Sequence, residues 1–315
     1  MSTDVGHGAD REEAVDNEEA ARQGYVGRSV PRVEDYDVLT GHAAYTDDLP
    51  AEDCRTLALV RSMYAHASIE GVDATAAESH PDCEAVITGE DVAAAYNPMP
   101  CPIDGFEEPA LAVDRVRFVG EPVAMVVVDG DRYVAEDVVD LVEVDYDTLD
   151  HVVDPMAARE DDVVIHPDVG SNVAGAKEYT FGDVDAAFEG ADHVVEGSYS
   201  WGRISGVPLE TAGVIARYDP EGDRFVLESN IQLHTLTNAD VCKTLGYPEE
   251  RVDVRSPDHV GGSYGTKIEQ VTRYCALAGM ASKAVEAPVK YIEDRYEHLQ
   301  GGDAHSTDRE YRIRL

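Results

Sequence analysis

The sequence is poor in cations, and lysine in particular is scarce. Its 315 residues carry 25 lysine and arginine side chains against 64 aspartates and glutamates, which gives a formal net charge of −39. Such a surface repels nucleic acid and anionic membranes, so we expect neither as a partner. A coat of carboxylates suits a protein that stays dissolved in concentrated salt, where screening weakens the repulsion between its charges. The composition therefore predicts a halophilic cytoplasm and indicates nothing about the substrate.

Cysteine and long apolar runs are also scarce. The five cysteines are scattered and include no C-x-x-C pair, which argues against a disulfide framework and against a zinc or iron–sulfur site in this chain. No stretch approaches the roughly 20 apolar residues of a membrane span, and residues 1–24 lack the apolar segment of a signal peptide. We therefore expect a soluble, cytoplasmic protein.

Apolar residues make up 43% of the chain, enough for a core, and they are arranged in two parts. Residues 1–24 are acidic, contain no aromatic side chain and are predicted to be a disordered tail. Residues 25–155 alternate short apolar strands with helices, which predicts an α+β domain. A linker with several proline and glycine residues then leads into residues 156–315, which are richer in strands.

Short apolar runs between turn residues predict strands over residues 56–62, 85–88, 115–119, 123–128 and 142–146 in the first part. Residues 66–79 are predicted to form a helix, because their apolar side chains recur at helical intervals. We expect residues 50–155 to close a core without help from downstream. In the second part, strands are predicted over 193–200, 213–218, 224–229, 252–255 and 288–292, and helices over 236–245 and 268–284. Residues 310–315 look like a strand without a partner.

The most distinctive stretch is a glycine-rich loop between a predicted strand and a predicted helix. It reads Gly261-Gly262-Ser263-Tyr264-Gly265. Glycine permits positive φ and close approach of a ligand, so successive N–H groups can line an anion-binding concavity at the start of a helix. Such a loop is also a common tight connection, and it matches neither a P-loop nor a dinucleotide-binding fingerprint. The loop alone leaves both interpretations open.

The order of several motifs is more specific than any one of them. In sequence order they are R-V-E-D at 32–35, L-T-G at 39–41, Y-T-D-D-L at 45–49, A-H-A at 65–67, V-G-E-P-V-A at 119–124, V-E-V-D-Y at 142–146, P-L-E-T at 208–211, the glycine loop, and V-K-Y-I-E-D-R at 289–295. In this order they resemble the molybdopterin-binding large subunits of the xanthine dehydrogenase and aldehyde oxidase family. Within that family the chain looks closest to aerobic carbon monoxide dehydrogenases.

The resemblance implies an α+β fold in which residues 25–155 form an α/β hammerhead domain with its lead-in. Residues 156–315 would then be the first part of a molybdopterin-binding domain. The glycine loop would face a molybdenum–molybdopterin cofactor, expected in its cytosine dinucleotide form, and bind it through the main chain. Gln232 belongs to a block that the family also places near this cofactor.

The chain departs from the family pattern at several positions. Ser263 and Tyr264 replace a glycine and a phenylalanine of the loop, and both keep the main-chain N–H donor. Gly202 stands where the family has a glutamine that hydrogen-bonds a molybdenum oxo group, so this position offers no side-chain donor. Ile268 replaces the glutamate with which purine hydroxylases bind their substrate, which argues against xanthine.

The resemblance also implies that the chain is only part of an enzyme. In the family the catalytic glutamate, most pterin-phosphate contacts and the copper-binding loop of carbon monoxide dehydrogenase lie in the C-terminal half of the subunit. No catalytic residue and no metal ligand is therefore assigned here. We expect a molybdenum-containing oxidoreductase, completed by the C-terminal portion on another chain and by iron–sulfur and FAD subunits. It would oxidise carbon monoxide, an aldehyde or another small substrate, with water as the oxygen source.

The alternative hypothesis is a non-catalytic remnant or scaffold that binds partners but no cofactor. No single ionisable residue decides between the enzyme hypothesis and the scaffold hypothesis. His66 is best explained by packing or capping, and His234 has no second metal ligand nearby. Glu210 is interpreted either as a buried structural carboxylate or as an acid–base group. Cys242 and Cys275 are interpreted as small buried hydrophobes.

Overall fold

A computed structural model of the chain describes residues 25–51, 53–301 and 309–314. The predicted acidic tail, residues 1–24, lies outside the described residues. The chain divides into two compact units, with the division after Ala43. In the first unit, helix α1 (Asp35–Thr40) ends at Gly41, whose φ of 74° permits the left-handed turn that stops the helix.

The larger unit starts with a 3₁₀ turn, which is followed by short helices and by strands that belong to two different sheets. The elements of its first half are β1 (Arg55–Arg61), β2 (Ala67–Asp73), α2 (Thr75–Glu78), β3 (Cys83–Thr88), α3 (Gly89–Ala95), β4 (Arg115–Val116), β5 (Pro122–Val128), α4 (Arg132–Val139) and β6 (Glu143–Thr148).

The second half contains the longest helix among the described residues and most of the remaining strands. Its elements are α5 (Pro155–Ala158), α6 (Val184–Glu189), β7 (Glu196–Trp201), β8 (Gly213–Asp219), β9 (Arg224–Ser229), α7 (His234–Leu245), β10 (Val252–Arg255), α8 (Glu269–Val285), β11 (Val289–Ile292), α9 (Arg295–Gly301) and β12 (Arg309–Arg314). No helix among the described residues is both long enough and apolar enough to cross a bilayer.

One seven-stranded sheet runs through both halves of the larger unit, in the order β10-β9-β8-β11-β1-β5-β3. The two halves meet where β1 pairs in parallel with β11, with Arg55 opposite Val289. On its other side β1 pairs antiparallel with β5. Strands β4, β2 and β6 form a separate three-stranded sheet, and β7 pairs only with β12 among the described strands.

The main core lies between this sheet and helix α8, which is buried along most of its length. Leu57 and Met125 from the first half belong to the same apolar cluster as Phe225, Leu277 and Val289 from the second half. The expectation that residues 50–155 close a core of their own is therefore wrong, although two smaller clusters do lie wholly within that range. The domain boundary near residue 155 stays a prediction.

The helix predicted over residues 66–79 is also wrong. The structure has strand β2 there, followed by the single turn of α2. The register of β2 against β6 shifts between Ile69 and Gly71, as in a β-bulge. Both Ile69 and Val72 consequently pack against one apolar cluster, although they are three residues apart. A bulge resets the alternation of a strand, and here it produces the i, i+3 spacing that favours a helix.

The other predicted strands and helices are confirmed, with changes at their ends. The strand predicted over 115–119 is reduced to Arg115–Val116. The N–H of Arg117 donates to the carboxylate of Glu121 instead of to a carbonyl group of a neighbouring strand. The terminal strand predicted over 310–315 is present as β12. Its expected lack of a partner is wrong, since Arg309 to Arg314 pair antiparallel with β7.

We expect residues 44–155, expressed alone, to bind much more of an apolar-surface dye than the whole chain. Leu57, Leu59, Met125 and Val127 lose their cover when the second half is removed. The measurement is dye fluorescence in high salt, with the whole chain as the control. A fragment that binds no dye and unfolds in one sharp transition contradicts the shared core.

Candidate functional site

The glycine loop follows β10 and leads into helix α8. Gly262 and Gly265 have φ values of 91° and 99°, a region in which other residues are strained. Tyr264 adopts φ of 54° despite its side chain. At Gly261 the constraint is space, because a Cβ atom there would lie 2.4 Å from the Cβ atom of Glu210. Gly262 and Gly265 are thus required for their backbone conformation, and Gly261 is required because a side chain has no space there.

Gln232 holds the loop from one side. Its Oε1 accepts hydrogen bonds from the Ser263 hydroxyl and from the Gly265 N–H, the latter at 2.8 Å. A main-chain N–H can only donate, so the atom that faces Gly265 is the amide oxygen. The N–H of Gln232 also donates to the carbonyl of Lys267 at 3.2 Å. The amide nitrogen is the donor that this exposed side chain can still offer to a ligand.

Glu210 holds the loop from the other side. Its Oε2 accepts from the Gly261 N–H at 2.7 Å and from Lys267 Nζ at 2.9 Å, while its Oε1 accepts from the Thr46 N–H at 3.1 Å. Burial alone would raise the pKa of Glu210, but the Gly261 N–H, the Asn230 side chain and Lys267 hold the pKa below its ordinary 4.5. Glu210 is therefore ionised and structural, the first of the two interpretations.

Lys267 is the buried partner of Glu210. Its side chain is fully buried, so burial lowers the pKa of the ammonium group, and the adjacent Glu210 carboxylate opposes that shift. A buried charge is tolerated only with such a partner. The ion pair therefore fixes the end of the loop.

Between these two attachments lie further main-chain donors. Across residues 25–51, 53–301 and 309–314, the N–H groups of Gly262, Ser263 and Tyr264 find no hydrogen-bond partner. Successive N–H groups of this kind can bind an anionic oxygen atom. The side chain of Ser263 is engaged by Gln232, so both departures from the family loop preserve these donors.

A cleft of about 470 Å³ lies beside the loop. Gly265, Thr266 and Ile268 line one part of it, and its charged lining residues are Arg61, Arg203 and Arg273 together with Glu108 and Glu269. The lining is thus polar and carries charges of both signs. The resemblance singled out neither Arg61 nor Arg273 as a site residue.

A buried polar network includes two of the residues that line this cleft, Arg61 and Tyr274. Arg61 donates to the hydroxyl groups of Tyr274 and Tyr291, both at 2.9 Å, and to Glu297 at 3.0 Å. Tyr274 in turn donates to the buried Glu293 at 2.9 Å. The network joins β1, α8, β11 and α9, so the wall of the cleft is built by both halves of the chain.

A second, more apolar cavity of about 430 Å³ shares an ion pair with this cleft. Arg273 and Glu108 form this pair at 3.2 Å, and both residues line both cavities. Ile268 also faces both, and Met99, Phe106 and Leu236 are among the apolar lining residues of the second cavity. The shared wall therefore combines the apolar side chain of Ile268 with the Arg273–Glu108 pair and Glu269.

The remaining candidate residues have structural roles. His66 is buried with Nδ1 2.6 Å from the carbonyl of Asp150, as the packing interpretation requires. Cys242 and Cys275 are buried, and burial raises the pKa of the Cys275 thiol to about 12. His234 begins helix α7. No group of three or more histidine, cysteine, aspartate or glutamate side chains is placed to hold a metal ion in the part of the chain that the structure describes.

Two protein-family models match the chain in consecutive stretches. The model described as the aldehyde oxidase and xanthine dehydrogenase a/b hammerhead domain matches residues 40–150. The model described as the molybdopterin cofactor-binding domain matches residues 165–315 and includes the glycine loop. The chain belongs to the xanthine dehydrogenase and aldehyde oxidase family.

Several curated members of this family are similar over most of the chain. The nicotine 6-hydroxylase large subunit of Paenarthrobacter nicotinovorans is 37% identical and covers 88% of this chain and 34% of its own length. The carbon monoxide dehydrogenase large chain of Afipia carboxidovorans is 32% identical and covers 91% of this chain and 37% of its own length. This chain therefore spans about a third of the length of these relatives.

Solved structures agree with the fold. Quinoline 2-oxidoreductase from Pseudomonas putida 86 matches with a TM-score of 0.83 at 32% identity, over 93% of this chain and 37% of that one. Carbon monoxide dehydrogenase from Oligotropha carboxidovorans matches with a TM-score of 0.75 at 31% identity, over 91% of this chain and 36% of that one. These matches support the predicted α+β fold, a hammerhead domain followed by part of a molybdopterin-binding domain.

We expect Glu210→Gln to lower the free energy of unfolding by about 3–5 kcal/mol, because it leaves the ammonium group of Lys267 buried without a counter-ion. The measurement is denaturant unfolding at neutral pH. Glu136→Gln is the control, since its exposed pair with Arg132 contributes about 0.5 kcal/mol or less. Equal effects of the two substitutions would refute this role of Glu210.

The same ion pair predicts a pH dependence. The pKa of Glu210 is lowered in the folded chain, so its contribution is fully present above the ordinary value of 4.5 and is lost as pH falls through the lowered pKa. Glu210→Gln should therefore flatten the acid limb of the stability profile. An unchanged acid limb in the variant would assign the acid sensitivity to other carboxylates.

Proposed function

We propose that this chain is a component of a molybdenum hydroxylase and binds the molybdenum–molybdopterin cofactor through the main chain of its glycine loop. The observation that carries the proposal is the set of N–H groups of Gly262, Ser263 and Tyr264, which have no acceptor among the described residues. Glu210 and Gln232 hold this loop in place before any ligand binds. Donors that are already oriented bind an oxyanion without a cost for reorganisation.

The residues present fit such a cofactor. Gly261 to Gly265 would contact its anionic oxygen atoms, and the amide nitrogen of Gln232 would add a side-chain donor. For the cofactor we propose the cytosine dinucleotide form, with Arg203, which lines the cleft, beside its phosphates. When bound, this group supplies the two-electron oxidation in which water provides the oxygen atom.

Among the described residues, the carboxylate that holds the loop is not suited to act as a general base. This carboxylate is Glu210, and Lys267 and the Gly261 N–H keep it ionised and hydrogen-bonded. A base near neutral pH needs a raised pKa, whereas that of Glu210 is lowered. We propose that the base comes from the C-terminal portion of the large subunit on another chain, with iron–sulfur and FAD subunits accepting the electrons in a halophilic cytoplasm.

The substrate we propose is small and uncharged. Carbon monoxide and aldehydes fit this description, and the nicotine and quinoline relatives add N-heterocycles to the class. The observation in favour is the apolar cavity behind Ile268, which adjoins the loop cleft. Its charged lining residues include the Arg273–Glu108 ion pair, Asp240 and Glu269, a surplus of carboxylates that disfavours an anionic substrate.

A second candidate, a scaffold without cofactor, is favoured by one feature. Gly202, at the end of β7, has no side chain with which to bind a molybdenum oxo group. Metal analysis of the complex that contains this chain separates the two candidates. Stoichiometric molybdenum and pterin support the hydroxylase, whereas their absence from an otherwise intact complex supports the scaffold.

We expect Gly262→Val to abolish molybdenum retention in the complex purified from its own host. Valine is β-branched and cannot adopt φ of 91° without strain. Gly71→Val is the matched control, because a Cβ atom there has no neighbour within 4 Å. The measurements are molybdenum content and dye reduction with carbon monoxide, aldehydes and N-heterocycles. Unchanged molybdenum in the Gly262→Val complex would exclude the loop from the site.

A further inference from the structure

One histidine lies in the lining of the apolar cavity that adjoins the loop cleft. His166 is half-buried, and its apolar neighbours in the lining include Met99, Phe106 and Leu236. Within residues 25–51, 53–301 and 309–314, neither ring nitrogen of His166 has a hydrogen-bond partner. A polar group in a mostly apolar cavity fixes the orientation of a ligand. His166 is therefore a candidate for the recognition of a substrate.

The main chain holds His166 in place from both sides. The N–H of Ile165 donates to Oδ1 of Asn172 at 2.8 Å. The carbonyl group of His166 accepts from the N–H groups of Val169 and Gly170 at 3.1 and 3.0 Å. A recognition group that is already ordered binds its ligand at a smaller cost in conformational entropy.

The imidazole ring packs against an aromatic side chain of the opposite loop. The ring centroids of His166 and Phe106 are 5.0 Å apart, with the ring planes at 60°, which is an edge-on contact. The N–H of Met99 donates to the carbonyl group of Glu108 at 2.6 Å and closes the base of the loop that carries Phe106. This contact orients the imidazole and uses neither of its nitrogen atoms in a hydrogen bond.

The imidazole is neutral near pH 7. Burial lowers the pKa of His166 below its ordinary 6.5, and the positive charge of Arg117 lowers the pKa further, against the opposing charge of Glu108. A neutral imidazole carries one N–H donor and one nitrogen acceptor. It needs no counter-ion, so it suits an uncharged ligand.

The other donors in the lining are already engaged. The hydroxyl group of Thr272 donates to the carbonyl group of Ile268 at 2.7 Å, and Arg273 is paired with Glu108 at 3.2 Å. Carboxylates in the lining can only accept. His166 thus offers the cavity an N–H donor that no neighbour among the described residues engages.

We propose that His166 determines the substrate class by donating a hydrogen bond to the ring nitrogen of an uncharged heteroaromatic substrate, whose ring packs against the apolar lining. The inference rests on the proposed function and narrows its substrate class. A cavity of about 430 Å³ is far larger than carbon monoxide requires. A short aldehyde can accept the same hydrogen bond, but it leaves most of the apolar lining in contact with water.

The experiment compares two ligands of the same shape, quinoline and naphthalene, of which only quinoline has a ring nitrogen. Both are titrated into the full chain without molybdenum, in high salt, with its histidine side chains labelled with ¹⁵N. We expect quinoline to shift the ring-nitrogen resonances of His166, which are assigned by their loss in His166→Gln. Naphthalene should shift them much less.

Substitution of His166 measures the hydrogen bond itself. His166→Leu should raise the Kd of quinoline by about tenfold and that of naphthalene by less than about twofold, because only quinoline loses a hydrogen bond. His166→Gln keeps an N–H donor and should recover part of the affinity. His151→Leu, which removes an exposed histidine outside the cavity lining, is the control and should leave both Kd values unchanged.

Two results would overturn the inference. If His166→Leu weakens quinoline and naphthalene equally, the side chain only fills space. If the chain does not bind quinoline saturably, the cavity is not a site for such rings.

Turnover and molybdenum content separate this inference from the proposed function. In the assembled complex, His166→Leu should raise the KM of quinoline and leave kcat within about twofold, since the hydrogen bond is made equally in the ground state and the transition state. A complex without molybdenum whose chain binds quinoline through His166 retains the inference and removes the hydroxylase. A complex with molybdenum that oxidises quinoline with the same KM in His166→Leu retains the hydroxylase and removes the inference.

Discussion

The buried ion pair between Glu210 and Lys267 is the interaction on which the site depends. One carboxylate accepts hydrogen bonds from Thr46, from Gly261 and from Lys267, and so joins the start of the larger unit to both ends of the glycine loop. Burying two charges is costly, and such a pair is poor evidence for added stability. Its value here is positional, because Glu210 also accepts a hydrogen bond from the Gly261 N–H and so ties the two ends of the glycine loop together.

Local patterns in the sequence were sufficient for most strands, for the long helix and for the loop. They failed at residues 66–79, where a bulge gives Ile69 and Val72 a helical spacing within a strand. They also missed the burial of Lys267, since a lone lysine is ordinarily a surface residue. The Arg61 network escaped detection because its partners, Tyr274 and Tyr291, lie more than two hundred positions away, and no local pattern records such distances.

The position of Gln232 beside the loop followed from the order of motifs rather than from any physical signal in its own segment. Only the structure shows that its oxygen is committed to Ser263 and Gly265. The two cavities also could not be predicted from local sequence patterns. Arg273 and Glu108 form their common wall, and the two residues come from different halves of the chain. A site assembled across one continuous sheet cannot be divided into the contributions of two independent domains.

The parallel pairing of β1 with β11 has a consequence for the synthesis of the protein. Arg55 leaves the ribosome long before Val289, its neighbour in the sheet. At about 5–20 residues per second, the delay is on the order of tens of seconds. During this time one edge of β1 is unpaired, and unpaired edges of this kind promote aggregation. The nascent chain is therefore exposed to misassembly until β11 has emerged, and a chaperone that shields β1 would protect it during that interval.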